Sequence, residues 1–216
     1  MVARELLDDL QPWCQRVAIA GSLRREKGKH KGLGPRDLEI VYLDQAGDGD
    51  RHLAQMLEQG HIEKRLDPKG STRWGEKAKM GVYYPRKGGV LPVDFFRVTD
   101  PVQWGIILAI RTGSSRFNKL LVTAQAMGGA CPPNRKVAGG YVWDLRPLNS
   151  AMQSLVNVSS AKDFLKRHKT VFADAVKMPT HSEKEFFAAL DVPWWTPRKR
   201  TEMFLRRYLL QRKRTA

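Results

Sequence analysis

The sequence predicts an α+β fold: a small mixed β-sheet with flanking helices over residues 1–100, then a mostly helical part over 101–216. Three observations carry this. Short apolar and alternating segments gather before Asp100-Pro101. Helical periodicity dominates after it. The length, 216 residues, is enough to bury a core without disulfide or metal staples.

In chain order, Leu6, Leu7 and Leu10 share one face of a short amphipathic helix that Pro12 stops. Val17–Ala20 is a short apolar run, read as a buried strand. It ends in Gly21-Ser22, a turn whose Ser22 is placed to cap a following helix. Residues 26–36 are rich in Gly and Lys and read as a loop. Asp37–Leu43 alternates as a strand, with Asp37, Glu39 and Val41 on one face and Leu38, Ile40 and Tyr42 on the other. Residues 51–59 suit a helix, and 78–84 and 90–98 suit strands joined through Pro85–Gly89. Helices are expected over 101–111, 114–127, 160–169, 182–190 and 197–210, with a short strand at Tyr141–Trp143. In the last helix Phe204, Leu205, Tyr208 and Leu209 form the core face.

Lys and Arg number 38 against 22 Asp and Glu, a formal charge of +16. Residues 21–36 carry +5 and residues 196–216 carry +7, so 37 positions hold +12 of the total. Such patches bind phosphate without sequence information, which makes nucleic acid the first candidate partner; a solubilising surface or an anionic membrane contact is the alternative. No apolar run approaches a membrane span, and the acidic, apolar-poor start does not read as a secretory signal. The expectation is a monomer that is not secreted, in cytoplasm or with nucleoid or viral DNA. Cys14 and Cys131 lack CxxC or Cys/His spacing, which excludes a disulfide scaffold and a zinc finger. His30 lies in the basic loop, and His52, His61, His168 and His181 show no ligand spacing and read as surface residues.

Three carboxylates stand out. Asp37 and Glu39, at i and i+2, project from one face of a strand and repel each other unless a cation lies between them. Asp94 sits among Val93, Phe95 and Phe96, where an acid is costly unless its charge is compensated. Oxygen ligands near a Gly-Ser turn suit Mg²⁺ holding nucleotide phosphates. The alternative is a strand with two solvated acids and a salt-bridged Asp94.

Gly21-Ser22-Leu23-Arg24-Arg25 followed by Asp37-Leu38-Glu39 resembles the signature of the DNA polymerase beta-like nucleotidyltransferases, family X. The resemblance continues in order through Val93-Asp94, through Arg111–Lys119 (RTGSSRFNK), and through Ser182–Leu190 with Pro193-Trp194-Trp195 and Pro197-Arg198. It covers residues 17–200 with gaps and is poor over 44–70 and 150–180. It implies a palm over 1–100 and a thumb over 101–216, without room for fingers or lyase domains. It implies DNA-directed addition of dNTP to a primer 3′-hydroxyl on primer-template or gapped DNA, as in gap filling or repair synthesis. Template-independent or RNA-acting transfer, or a DNA-binding relative impaired at Glu39, are the alternatives. Asp37, Glu39 and Asp94 would hold two Mg²⁺ ions, with Mn²⁺ able to substitute. Gly21, Ser22 and Arg25 would grip the triphosphate, Gly113 would admit the sugar and Asn118 would meet the base. Lys119 would lie against the template. Arg198 is a further expected DNA contact, and Arg206 and Arg207, which the core face of the last helix leaves outward, are free to meet a DNA backbone. This chain departs from the family at Glu39, usually Asp, at Arg36, usually Gly, and at Ile110-Arg111 and Val122. Pro92 stands where an Arg is usual, so Asp94 is expected to lack a resting partner. Trp195 and Trp194 are expected to pack under the last helix, and Tyr141 and Trp143 to form a buried strand pair.

Overall fold

The structure is a computed structural model that describes residues 2–25, 37–67 and 69–215, so the basic segment 26–36, with His30, lies outside the described residues. Two units, Met1–Pro101 and Val102–Ala216, divide the chain. The architecture is α+β, with a mixed five-stranded sheet and flanking helices in the first unit. Among the described residues, no helix is long and apolar enough to cross a membrane.

The first unit is built on β1 (Arg16–Ile19), β2 (Leu38–Leu43), β3 (Ile62–Lys64), β4 (Ala78–Tyr83) and β5 (Leu91–Val98), in the order β1-β2-β5-β4-β3. Only β2 and β5 run parallel; the other neighbours are antiparallel. Leu38, Ile40 and Tyr42 of β2 join Val93 and Phe95 of β5 in one buried cluster with Leu6 and Leu10 of α1 (Val2–Leu10). The alternation read from DLEIVYL therefore sets one face of the sheet against α1 and α3 (Asp48–Glu58), whose Leu53 and Met56 complete the cluster. Glu5 of α1 accepts from the Tyr83 hydroxyl at 2.7 Å and the Arg86 amide at 2.8 Å, and that backbone bond holds its carboxyl below the usual range. α2 (Gly21–Arg25) starts at Gly21, two residues earlier than a Ser22 cap requires; Arg24 N already donates to Ala20 O, so Ser22 lies inside the first turn.

Where β2 and β5 end, a polar network not foreseen from sequence fills the interior. Lys79 donates to both carboxylate oxygens of Asp50 at 2.9 Å and to Tyr42 Oη at 3.3 Å. The Tyr42 hydroxyl also meets Asp50, and burial with that bond pushes its pKa far up. Arg97 binds Asp50 at 3.2 Å and the Asp44 carbonyl at 3.0 Å. Asp44, almost wholly buried, accepts from the amides of Gly47 and Asp50 and so caps α3 in place of an N-cap side chain.

The second unit holds α4 (Trp104–Thr112), α5 (Ser115–Val122), β6 (Arg135–Ala138), β7 (Tyr141–Asp144), α6 (Ser150–Val158), α7 (Ala161–Arg167), β8 (Val176–Met178), α8 (Glu183–Ala189) and α9 (Glu202–Thr215). β6, β7 and β8 form a second, antiparallel sheet. α5 is shorter than the periodicity of 114–127 suggests: the Thr123 hydroxyl donates to Lys119 O at 2.6 Å, and Ala124 leaves to bridge Cys131. The helix expected over 197–210 breaks at Arg200 into a 3₁₀ turn, Pro197–Lys199, and α9. Leu205 is buried, with Phe204, Tyr208 and Leu209 packed against the same core. Ser182 and Glu185 form a capping box on α8, so SEKE works as a helix start.

Gly105 is required where α4 meets the start of α8. A Cβ there would lie 2.1 Å from the Ser182 carbonyl oxygen, which accepts from Phe186 N, and 2.6 Å from that of Thr180, which accepts from Gly105 N. Gly105→Ala is expected to destabilise the protein by about 1–3 kcal/mol, seen as a lower melting temperature; an unchanged melt would contradict this close approach.

Candidate functional site

The sheet register places two of the three carboxylates side by side. Glu39 of β2 and Asp94 of β5 are Cα partners on parallel strands, about 5 Å apart by ordinary strand spacing. Their neighbours Leu38, Ile40, Val93 and Phe95 turn into the core, so both acids face the other side of the sheet. Asp37 immediately precedes β2, two residues from Glu39. Ala20 N donates to Glu39 O at 2.8 Å, which brings the Gly21 turn against this edge. Gly21 has φ of +64°, and a Cβ there would come within 2.7 Å of Glu39 Oε1. Glycine at 21 and the long acid at 39 thus fit one another, and Ser22 and Arg25, both half-buried on α2, follow from that turn.

Asp94 does not lack a partner. Arg65 Nη2 donates to its Oδ1 at 2.6 Å, and Asp94 is only 8% exposed. The expectation drawn from Pro92, that Asp94 would be without a resting partner, is therefore overturned: an arginine from the segment after β3 pairs with it. Among the described residues, no three His, Cys, Asp or Glu side chains converge as metal ligands. The donor chemistry fits a hard divalent cation nonetheless: carboxylate oxygens on adjacent positions of one sheet face, with no thiol or imidazole among them. Asp37, Glu39 and Asp94 are the residues that would hold it.

The second unit carries the remaining candidates. Ser114 caps α5 by accepting from Phe117 N. Asn118 Nδ2 donates to the carbonyls of Ile110 at 2.5 Å and Gly113 at 3.0 Å, tying the end of α4 to the start of α5. A Cβ on Gly113 would strike Asn118 Oδ1 at 2.1 Å, so TGS…FN is a packed unit that needs its glycine. Asn118 Oδ1 is buried without a hydrogen-bond partner. Lys119, Arg198, Arg206 and Arg207 are exposed. Arg206 also pairs with Glu202 at 2.8 Å and, with Arg212, lines a groove of about 440 Å³ floored by Leu120 and Leu209.

Several sequence expectations change. Arg200, counted in the basic patch, is wholly buried and bound to Glu183 at 2.6 Å. His52 is half-buried: its ring stacks on the exposed Trp13, centroids 5.0 Å apart, and both ring nitrogens are buried without a hydrogen-bond partner. His168 lies 4.2 Å from the Trp143 ring. Trp195 packs against Phe204 and Tyr208 of α9, whereas Trp194 stays exposed. Tyr141 and Trp143 sit on β7 in edge contact, but only Trp143 is buried, and Lys177 caps the Tyr141 ring at 3.8 Å. Cys14 and Cys131 are free thiols that burial pushes up to about 12, with Asp44 and Asp50 adding to the shift at Cys14.

The residues missed by sequence reasoning are Arg65 and Arg200, each an arginine in a charge-rich stretch whose partner lies far along the chain. Recognising Ile62–Lys64 as a strand would have exposed the first; nothing in RKR distinguishes the second. A scan of protein-family models finds no match to this chain, and no curated protein matches it significantly.

Proposed function

We propose that the protein is a nucleotidyltransferase of the family X type, adding deoxynucleotides from dNTP to a DNA primer 3′-hydroxyl. The observation that carries this reading is the pairing of Glu39 with Asp94 on adjacent parallel strands, with the Gly21-Ser22 turn closed against Glu39. The ordered motifs through TGS…FNK and SEKEFFAAL add to it. Mg²⁺, or Mn²⁺ in its place, would supply charge neutralisation of the triphosphate and a lowered pKa for the attacking hydroxyl. The chain's own part is to present carboxylate oxygens from one sheet face. Ser22 offers a hydroxyl and Arg25 a fork of N–H donors to phosphate oxygens. In this reading the hydroxyl proton passes to Asp94, a carboxylate that is 8% exposed.

Primer extension decides the reading. Radiolabelled primer with dNTP and Mg²⁺ should lengthen on a primer-template and stop in EDTA. Extension of single strands alone would favour template-independent transfer, and no extension on any substrate would reject the proposal.

DNA affinity is assigned to exposed cations of the second unit. Charge reversal of Arg206 and Arg207 together is expected to flatten the dependence of log K on log salt by about 1.8, near 0.9 for each phosphate that is no longer neutralised. Filter binding at several salt concentrations reads the slope; an unchanged slope would make this face of α9 a solvated surface.

A further inference from the structure

The bond between Arg65 and Asp94 follows from the sheet. Arg65 N donates to Met80 O, Met80 is the Cα partner of Asp94, and Asp94 is the partner of Glu39. Arg65, Met80, Asp94 and Glu39 thus form one row across β3's end, β4, β5 and β2. Two strand spacings, about 10 Å, separate the backbones of Arg65 and Asp94. An extended arginine reaching over Met80 covers that span, and its Nη2 lands on Oδ1 at 2.6 Å. The pair is largely withdrawn from water, with side-chain exposures of 29% and 11%. A carboxylate so placed requires a cation, and arginine cannot meet a change of partner by giving up its proton.

We propose that Arg65 is a resident counter-cation that competes with a divalent metal for Asp94, a built-in lock on the carboxylate site. The inference rests on the metal-site reading of Asp37, Glu39 and Asp94. While the guanidinium holds Oδ1, a metal gains that oxygen only by displacing it, so the isolated protein binds divalent cation more weakly than its three acids allow. Arg65 is a positioning residue: it sets where the Asp94 carboxylate points and when it becomes available.

The test uses the full chain without DNA or nucleotide, with Mn²⁺ as the probe, titrated by electron paramagnetic resonance. Arg65→Gln should bind Mn²⁺ at least about tenfold more tightly than the parent. Adding Asp94→Asn to Arg65→Gln should remove the gain. Arg65→Lys, which keeps the charge but shortens the arm and lacks the fork, should fall between the two and serves if the glutamine variant folds poorly. A second readout is melting temperature. Arg65→Gln should melt lower than the parent in EDTA and recover in Mg²⁺, whereas the parent should respond little to either. Equal Mn²⁺ affinity in parent and both Arg65 variants, with dependence on Asp94 retained, would overturn the lock alone. Absence of any Asp94-dependent Mn²⁺ binding in every protein would overturn the metal-site reading and the lock with it.

Discussion

Asp94→Ala and Asp37→Ala are each expected to lower nucleotide addition by about a thousandfold or more, while DNA binding stays within about twofold of the parent. The two effects separate because they belong to different side chains. Carboxylates of the first unit are assigned the metal, and exposed arginines and lysines of the second are assigned the phosphate backbone. Removing an acid near DNA relieves repulsion, so affinity should rise slightly if it moves at all. At Asp94 the substitution also takes away the carboxylate that Arg65 holds, adding a positive charge to the same face. That arginine side chain is 29% exposed, so it reaches water and the fold should survive the loss. Single-turnover primer extension measures the first effect, and binding at matched salt measures the second. Activity above about 5% of the parent in both variants would remove these residues from the catalytic assignment, since loss of a charge-stabilising group costs several kcal/mol of barrier.

Much of the sheet was legible because its strands alternate in the chain itself. DLEIVYL and VLPVDFFRV each announce a buried face, and two strands that bury their residues side by side put Glu39 beside Asp94. What stayed hidden is short or distant. β3, β6 and β8 have three or four residues each, and even where one alternates, as in Val176-Lys177-Met178, the run is too short to stand out from chance. α6, SAMQSLVNV, is rich in weak helix formers and is held by its Asn149 cap and by Lys136, whose ammonium donates to the carbonyls of Val156 and Ser159. Charge partners were the least legible. Lys79 meets Asp50 across 29 positions and Arg65 meets Asp94 across another 29, and no local rule pairs them. A basic residue read from sequence is a surface charge by default; Arg65 and Arg200 depart from that because the backbone carries each to a buried acid.

Arg200 sets the second large expectation. Its side chain is wholly buried, yet it sits between exposed Lys199 and Thr201. Nη1 donates to Glu183 Oε1 at 2.6 Å, Nε donates to Trp195 O at 3.0 Å, and the guanidinium lies 5.0 Å from the Phe187 ring centroid. Its carbonyl oxygen accepts from Ser114 N. One residue therefore ties the turn before α9 to the first residue of α8, to the Trp195 loop and to the cap of α5. Breaking a buried pair by removing one partner leaves the other charge stranded, at a cost of about 3–5 kcal/mol. Arg200→Met and Glu183→Gln should each lower the urea midpoint of the second unit by that amount divided by its m-value, with Trp195 fluorescence reporting the transition. The double variant Arg200→Met, Glu183→Met should recover a large part of the loss, because no charge then remains to be desolvated. Full additivity of the two single losses would show that Arg200 and Glu183 act independently. Recovery would show that the cost lies in the stranded charge, and Nη2 of Arg200, buried without a hydrogen-bond partner, marks where that cost is already partly present in the parent.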